Sequence, residues 1–259
     1  MRLRFLGTGT SFGIPVIGCS CAACTSQDPR DKRTRHGALL LDDDAQTTVL
    51  IDTPPELRLQ LLAAQVSRLD AVWYTHAHAD HTHGIDDLRV FSHEGAASLP
   101  TYAEPGCADF LRRKFDYIFD ESYQPIGGPK VNLKLHTIEA FQPVQVASLS
   151  MLPLAFPHGD IDTYGFRVGD LGYVTDAKEV PAAARAALAG VKVLVLSALW
   201  FGHPHPTHMT IEEAVETARD IGAPITYLTH LTHRIVHAQA EAKLPASVRL
   251  AYDGLVVEV

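Results

Sequence analysis

The chain has 259 residues, 46% of them hydrophobic and 20% charged, a balance typical of a globular protein with one large domain or two small ones. The formal net charge of -8 argues against general binding of duplex nucleic acid, which depends on basic surface. No segment approaches the roughly 20 apolar residues of a membrane span, and no signal-peptide core follows the first residues. We therefore expect a cytoplasmic protein with no membrane partner.

Apolar, β-rich segments alternate with helical patterns along the chain, as in sheets covered by helices. A helix is predicted after the proline pair at 54–55, because proline is tolerated in the first helical turn. Strands are predicted at 1–7, 39–41, 48–51, 69–74, 148–156, 172–175, 193–197 and 225–229, with the second and third forming a hairpin around an acidic turn.

A later helix has clearer limits. Thr210 and Glu213 have the spacing of a capping box, apolar residues recur at helical intervals after them, and Gly222 suits the end of the helix. The pattern predicts a helix that begins just after Thr210 and stops before Gly222.

The segment Thr75-His76-Ala77-His78-Ala79-Asp80-His81 follows the predicted strand at 69–74 and contains four potential metal ligands. Imidazole nitrogens and a carboxylate suit zinc, manganese or iron. His76 and His78 alternate on an extended segment and therefore point to one side. Asp80 and His81 lie where the chain should turn into a helix, so they can face a second ion. The segment predicts a site for two metals.

Three further ligand-type residues stand at the carboxyl ends of predicted strands: His158, Asp176 and His230. Loops at such strand ends can converge on one edge of a fold. The predicted assignment is His76, His78 and His158 for one ion, Asp80, His81 and His230 for the other, and Asp176 as the bridge.

The cysteines form a separate group. Cys19, Cys21 and Cys24 lie within six residues, whereas Cys107 lies apart. In a reducing compartment three close thiolates indicate metal binding rather than disulfides, and a tetrahedral structural zinc needs a fourth ligand. The alternative is a set of reduced, buried cysteines. Cys107 is expected to be a packed free thiol.

The order of these motifs resembles the metallo-β-lactamase-fold hydrolases over essentially the whole chain, and among them the PhnP-like phosphoribosyl cyclic phosphodiesterases. Besides the histidine segment, the motifs that support the resemblance are Gly7-Thr8-Gly9-Thr10-Ser11, Gly18-Cys19-Ser20-Cys21-Ala22-Ala23-Cys24, Ile51-Asp52-Thr53 and Thr229-His230-Leu231-Thr232-His233. The resemblance implies a single α/β (α+β) domain over residues 1–259, folded as a four-layer αββα sandwich with metals at one edge.

The resemblance also implies roles for individual residues. It makes His233 the fourth ligand of a structural zinc and Asp52 a residue that holds the histidine segment, although Asp52 could instead cap the following helix. It places a catalytic histidine at His208, just before the predicted helix. The alternative is that His208 only caps or packs that turn. Asp80 is the other candidate catalytic residue, in addition to its role as a ligand.

Two cations about 3.5–4 Å apart can hold a bridging hydroxide and clamp phosphoryl oxygens. We therefore expect a dinuclear metal-dependent phosphodiesterase that hydrolyses a small cyclic or nucleotide-like phosphodiester, with His208 protonating the leaving oxygen. The metals would be zinc or manganese, with iron as a further option. The alternatives are a tRNase Z-like nuclease, a thioester hydrolase of the same fold, and a metal-binding accessory protein with little activity. A homodimer is expected from the resemblance.

The remaining histidines carry weaker predictions. Two of them, His203 and His205, share the loop of His208 and are expected to be solvated. No ligand spacing connects the others, which are His36, His83, His93, His136 and His237. Core packing, rather than a substrate wall or a dimer contact, is expected for the aromatic segment Phe115, Tyr117, Phe119 and Tyr123.

Overall fold

The computed structural model describes residues 1–92, 97–120, 122–123, 125–128 and 130–259. The strands in these ranges are β1 (Arg2–Gly7), β2 (Gly37–Asp42), β3 (Thr47–Ile51), β4 (Ala71–Trp73), β5 (Leu99–Ala103), β6 (Leu133–Thr137), β7 (Val144–Val146), β8 (Leu149–His158), β9 (Ile161–Val168), β10 (Leu171–Val174), β11 (Val193–Ser197), β12 (Ile225–Thr229), β13 (Val248–Leu250) and β14 (Val256–Glu258). The α-helices are α1 (Ala22–Thr25), α2 (Leu57–Ala63), α3 (Ala79–Thr82), α4 (Pro105–Lys114), α5 (Asp116–Phe119), α6 (Ala182–Leu188), α7 (Ile211–Ile221) and α8 (His237–Glu241).

The strands form two seven-stranded mixed sheets. The first has the order β14-β1-β2-β3-β4-β5-β6 and the second the order β13-β12-β11-β10-β9-β8-β7. Strands β3 to β6 run parallel, as do β10 to β13. The carboxyl ends of these parallel strands therefore lie along one edge of each sheet.

Three hydrophobic layers hold the sheets and helices together. Side chains such as Phe5, Trp73 and Phe166 fill the space between the two sheets. Leu57 of α2 packs on the outer face of the first sheet, and Ile211 of α7 packs on the outer face of the second. This arrangement is the predicted four-layer αββα sandwich. No described helix is long and apolar enough to cross a membrane.

The predicted elements agree with the structure where their sequence signals are strong. Strands β11 and β12 occupy the predicted residues, and α7 begins with the Thr210–Glu213 capping box and ends at Gly222, whose φ is 77°. The strand predicted at 69–74 is shorter, because only three residues pair. The helix predicted after the proline pair begins at Leu57.

Several strands were not predicted, and their sequences explain why. Strands β5, β6, β7, β13 and β14 are short, and only pairing with neighbours makes them strands. β9 includes Asp162, Gly165 and Arg167, which interrupt its apolar pattern. These strands depend on contacts that are distant in sequence.

The aromatic segment only partly fills the core. Phe115 is buried and Phe119 packs against the same cluster, as predicted. The prediction of core packing is wrong for Tyr117 and Tyr123, which are 37% and 46% exposed. The hydroxyl of Tyr117 instead donates to Asp86 Oδ1 at the surface, at 3.2 Å.

Candidate metal centre

The seven predicted ligands come together at the edge where the strands end. His76 and His78 follow β4, and Asp80 and His81 lie in the short helix α3. The other three reach the same place from the second sheet: His158 is the last residue of β8, Asp176 follows β10, and His230 follows β12.

One group of nitrogen atoms consists of His76 Nε2, His78 Nδ1 and His158 Nε2. His78 Nδ1 lies 3.0 Å from His76 Nε2 and 3.2 Å from His158 Nε2. Imidazole nitrogens at these separations surround a space that a single cation with three imidazole ligands would fill. The structure therefore brings together the first predicted ligand set.

The second group contains Asp80, His81 and His230, whose ligand atoms also lie close together. Asp176 joins the two groups through one oxygen. Its Oδ2 lies 3.8 Å from His76 Nε2, 3.5 Å from His81 Nε2 and 3.2 Å from His230 Nε2. A carboxylate oxygen in this position can contact two adjacent cations.

The polar atoms of this cluster fit cations better than they fit one another. His81 Nε2 and both ring nitrogens of His230 are buried without a hydrogen-bond partner among the described residues. Such orphaned polar atoms are costly unless a ligand satisfies them. Burial acts most strongly on the pKa of His81 and lowers it, but the charges of Asp176, Asp52 and Asp80 outweigh burial and raise this pKa well above its usual value. The site thus concentrates negative charge that divalent cations would neutralise.

Hydrogen bonds behind the cluster orient its rings. Asp52 Oδ2 lies 2.7 Å from His81 Nδ1, and its two oxygens accept from the Thr75 backbone N–H and hydroxyl at 2.8 Å each. His158 Nδ1 lies 3.1 Å from the Thr207 carbonyl oxygen, to which it donates. Donation from Nδ1 leaves the Nε2 lone pairs of His81 and His158 directed at the cluster. The carboxylate of Asp52 thus contacts the histidine segment. It does not cap the following helix, because α2 begins only at Leu57 and has no side-chain cap.

His208 lies against the ligand rings. Its ring centroid is 4.7 Å from that of His158 and 5.1 Å from that of His230, with the latter pair stacked. Burial lowers the pKa of His208 to about 3, against the opposing charge of Asp176. A neutral His208 retains one N–H that can donate to a substrate oxygen. Its nitrogen also lies near ligand atoms of His158 and Asp176, so its position suits contact with either a substrate or an ion.

The cysteine cluster is separate from this centre. Three thiols surround His233: its Nδ1 lies 3.2 Å from Cys19 Sγ, 3.5 Å from Cys21 Sγ and 3.9 Å from Cys24 Sγ. All four ligand atoms lie within 4.8 Å of one another, which suits a tetrahedral zinc with no position open for a substrate. Cys107 is 1% exposed and packs in the core under the first sheet.

Two residues lie nearer to the centre than their sequence context indicated. The fully buried His36 has its ring centroid 5.5 Å from that of His81, and its Nε2 lies 2.7 Å from the Tyr173 hydroxyl. The ring of His205 lies 5.2 Å from that of His208. No spacing pattern marks His36, whereas the shared loop with His208 was a usable signal for His205.

Three of the other histidines make contacts outside the metal centre. The ring of His83 packs against Phe115, that of His136 stacks on Tyr102, and His237 Nδ1 lies 3.1 Å from Arg33 Nη2. His93 lies outside the described residues.

Comparisons with known proteins agree with this geometry. A family model for the β-lactamase superfamily domain matches residues 47–231. A Porphyromonas gingivalis protein named octanoyltransferase is 39% identical over 256 residues, which are 98% of this chain and 51% of that protein, so the chain spans about half the length of this relative. Coenzyme PQQ synthesis protein B of Methylorubrum populi is 25% identical over 222 residues, which cover 75% of this chain and 72% of that protein.

The fold also occurs in solved structures of other proteins. The crystal structure of a new diphosphatase from the PhnP family has a TM-score of 0.90 and 37% identity, and the match covers 100% of this chain and 97% of that one. Zinc-bound PqqB from Methylobacterium extorquens has a TM-score of 0.79 and 20% identity with full coverage of both chains, a likeness of fold alone. Because the family model spans more than half of the sequence, the chain belongs to the β-lactamase superfamily and has the metallo-β-lactamase fold of its metal-dependent hydrolases.

Proposed function

We propose that this protein is a dinuclear metal-dependent hydrolase that cleaves a small cyclic or nucleotide-like phosphodiester. The observation that carries the proposal is the position of Asp176 Oδ2, which lies within 3.8 Å of ligand nitrogens from both groups. One shared carboxylate between two ligand sets favours two adjacent cations over a single one.

His76, His78 and His158 would hold one ion, Asp80, His81 and His230 the other, and Asp176 both. When bound, two divalent ions supply a water activated for attack at neutral pH and positive charge for the phosphoryl oxygens. The chain contributes orientation and proton control. Asp52 and the Thr207 carbonyl fix the rings of His81 and His158. The neutral His208 keeps its proton and donates a hydrogen bond from its N–H to the leaving oxygen as negative charge develops there.

The diphosphatase of the PhnP family supports chemistry at phosphorus, because its similarity to this chain extends to 37% sequence identity. It also favours a second candidate substrate class. Each phosphorus of a disubstituted diphosphate carries two bridging oxygens and one negative charge, as the phosphorus of a phosphodiester does. The same site would therefore suit cleavage of a diphosphate linkage.

Other activities of the fold are weaker candidates. A Bradyrhizobium ribonuclease Z is 29% identical over 135 residues, about half of this chain, but the net charge of -8 disfavours the grip on a long RNA. Neither thioester hydrolysis nor a purely metal-binding accessory role would make particular use of His208, whose ring lies against the rings of His158 and His230.

The test is hydrolysis of bis(p-nitrophenyl) phosphate by the protein loaded with zinc or manganese, beside a thioester substrate and a panel of cyclic phosphates and diphosphates. Elemental analysis should find two active-site ions in addition to the cysteine-bound zinc. His208→Ala should lower kcat about 100-fold or more with unchanged metal content. Equal loss of metal and activity would contradict the role of His208, and turnover of the thioester alone would contradict the proposed reaction.

A further inference from the structure

The loop between β11 and α7 carries a second imidazole directly outside His208. The ring centroid of His205 lies 5.2 Å from that of His208, which in turn contacts His230. His205 is half-buried and lies outside the groups of potential metal ligands found among the described residues. It therefore occupies the next position outward from the reacting centre.

Thr207 fixes which nitrogen of His205 carries the proton. The Thr207 backbone N–H lies 3.3 Å from His205 Nδ1, and the Thr207 hydroxyl lies at the same distance. A backbone N–H can only donate, so Nδ1 accepts and the proton resides on Nε2. His205 is thus held as a neutral imidazole whose Nε2–H is the donor.

Trp200 and Arg234 continue the row beyond His205. The Trp200 ring lies 5.5 Å from the His205 ring at an angle of 79°, and its Nε1 donates to the His203 carbonyl at 2.8 Å. The exposed Arg234 places its Cζ 4.4 Å from the Trp200 ring centroid. His208, His205, Trp200 and Arg234 are thus connected by successive ring contacts that end at an exposed cation.

We propose that His205, Trp200 and Arg234 form a subsite for a second phosphoryl group of the substrate, beyond the phosphorus that is attacked. The proposal rests on the function proposed above and deepens it, because it selects substrates with two linked phosphoryl groups. His205 donates its Nε2–H to an oxygen of the second group. Arg234 supplies positive charge, and the Trp200 ring keeps both side chains in place.

Direct binding tests the subsite without relying on turnover. The probes are AMP and α,β-methylene-ADP, a non-hydrolysable analogue that adds one phosphoryl unit, titrated calorimetrically into the zinc-loaded protein. The wild type should bind α,β-methylene-ADP about tenfold or more tightly than AMP, as expected of a hydrogen bond to a charged oxygen. Equal affinities in the wild type would overturn the proposal, whereas absence of hydrolysis in the earlier assay would overturn only the proposed function.

Substitutions separate the donor from the charge. His205→Phe keeps an aromatic ring beside Trp200 and His208 but removes the Nε2–H and the Nδ1 acceptor, so the preference for α,β-methylene-ADP should fall to about twofold or less. Thr207→Val removes the hydroxyl, while the backbone N–H at 3.3 Å still donates to His205 Nδ1, so this variant should keep most of the preference. His203→Ala, in the same loop, should leave it unchanged, because only the carbonyl of His203 is used.

Arg234→Gln should also reduce the preference, and the residual preference should depend less on salt than that of the wild type. If Arg234→Gln abolishes the preference and His205→Phe does not, the second group is held by charge alone and the role of His205 is wrong. Zinc content and thermal midpoints of all variants identify any that fail to fold, and the contrast between His205→Phe and His203→Ala then decides the role of His205.

Discussion

At the residue scale, three residues around the candidate metal centre share an unusual backbone conformation. They are Asp52, Asp176 and His230. Their φ angles are 62°, 54° and 60°, a left-handed region that non-glycine residues rarely adopt and that often marks functional sites. Each of them follows a strand, and the left-handed turn directs its side chain into the cluster at the sheet edge. These strained turns therefore bring together the side chains that the proposed metal centre needs.

Asp176 is the residue whose removal should affect both ions. Asp176→Ala removes the shared oxygen and leaves His76, His81 and His230 without their common partner, so we expect loss of most active-site metal and of activity. Elemental analysis after gel filtration measures the metal content per chain. Asp162→Ala, an exposed carboxylate on β9, is the matched control and should keep full occupancy. Normal retention of both ions in Asp176→Ala would contradict the bridging role.

At the element scale, the start of α7 connects a helix cap to the His208 loop. Glu213 closes the capping box with Thr210 and also accepts from Lys178 Nζ at 2.8 Å. The backbone N–H of Lys178 donates to the Pro157 carbonyl, next to His158, and its Nζ lies 3.4 Å from the His208 carbonyl. The amino-terminal end of α7 therefore sets where His208 lies relative to the ligands.

Substitution of Glu213 should separate the cap from the positioning of His208. Glu213→Ala removes both functions and should lower the free energy of unfolding by about 1–2 kcal/mol. Glu213→Gln can still close the capping box, so it should cost less than about 1 kcal/mol while lowering kcat several-fold, because Lys178 loses its charged partner. Urea unfolding and steady-state kinetics measure the two effects. Glu216→Ala on the exposed face of α7 is the control, and an unchanged kcat in Glu213→Gln would remove Lys178 from the positioning of His208.

At the scale of the whole molecule, the cysteine cluster joins two segments that are far apart in the sequence. Cys19, Cys21 and Cys24 belong to the amino-terminal loop, and His233 follows β12, more than 200 residues later. A metal that ties such distant segments restricts the unfolded chain, as a cross-link over a long loop does, by about 3–5 kcal/mol.

Loss of the zinc that we propose for the cysteine cluster should therefore destabilise the protein without emptying the active site. Cys24→Ser should lower the zinc content by one ion per chain and the thermal midpoint by about 6–20 °C, at about 2–4 °C per kcal/mol for a stabilisation of about 3–5 kcal/mol. Cys107→Ser replaces a buried thiol outside the cluster and should keep the zinc. Simultaneous loss of the active-site ions in Cys24→Ser would show that the two sites are not independent.

His237 should make the same junction sensitive to pH. Burial, the largest influence, together with nearby Arg33 lowers the pKa of His237 to about 4, so the folded protein holds this ring neutral. Its stabilising contribution is complete above about pH 6.5 and is lost as the pH falls toward 4. At pH 5 the free energy of unfolding should have fallen by about 1–2 kcal/mol relative to pH 7 on account of this residue.

His237→Asn removes the titrating group while its side-chain oxygen replaces Nδ1 as the acceptor for Arg33. Urea unfolding of both proteins at pH 7 and pH 5 isolates the contribution of His237, because other acid-sensitive groups act on both alike. The variant should show the smaller decrease between the two pH values. Equal decreases would mean that His237 is not held neutral in the folded state.

The sequence by itself determined the ligand types, the strands that end beside them and the capped helix α7, because these depend on short-range patterns. The local spacing of His76, His78, Asp80 and His81 was sufficient to predict a two-metal site, and the resemblance carried by the motifs predicted the αββα sandwich that the structure and the family match confirm.

Only the tertiary structure decided the contacts between residues far apart in the chain. The approach of His36 to His81, the sharing of one Asp176 oxygen and the row from His208 through His205 to Arg234 all arise where the two sheets and their loops meet. Such contacts depend on sheet order and on left-handed turns at strand ends, which leave no periodic signal in the sequence. For this reason the sequence could predict which residues would form the candidate metal centre, whereas the distances between them and the position of His205 beside it could not be predicted.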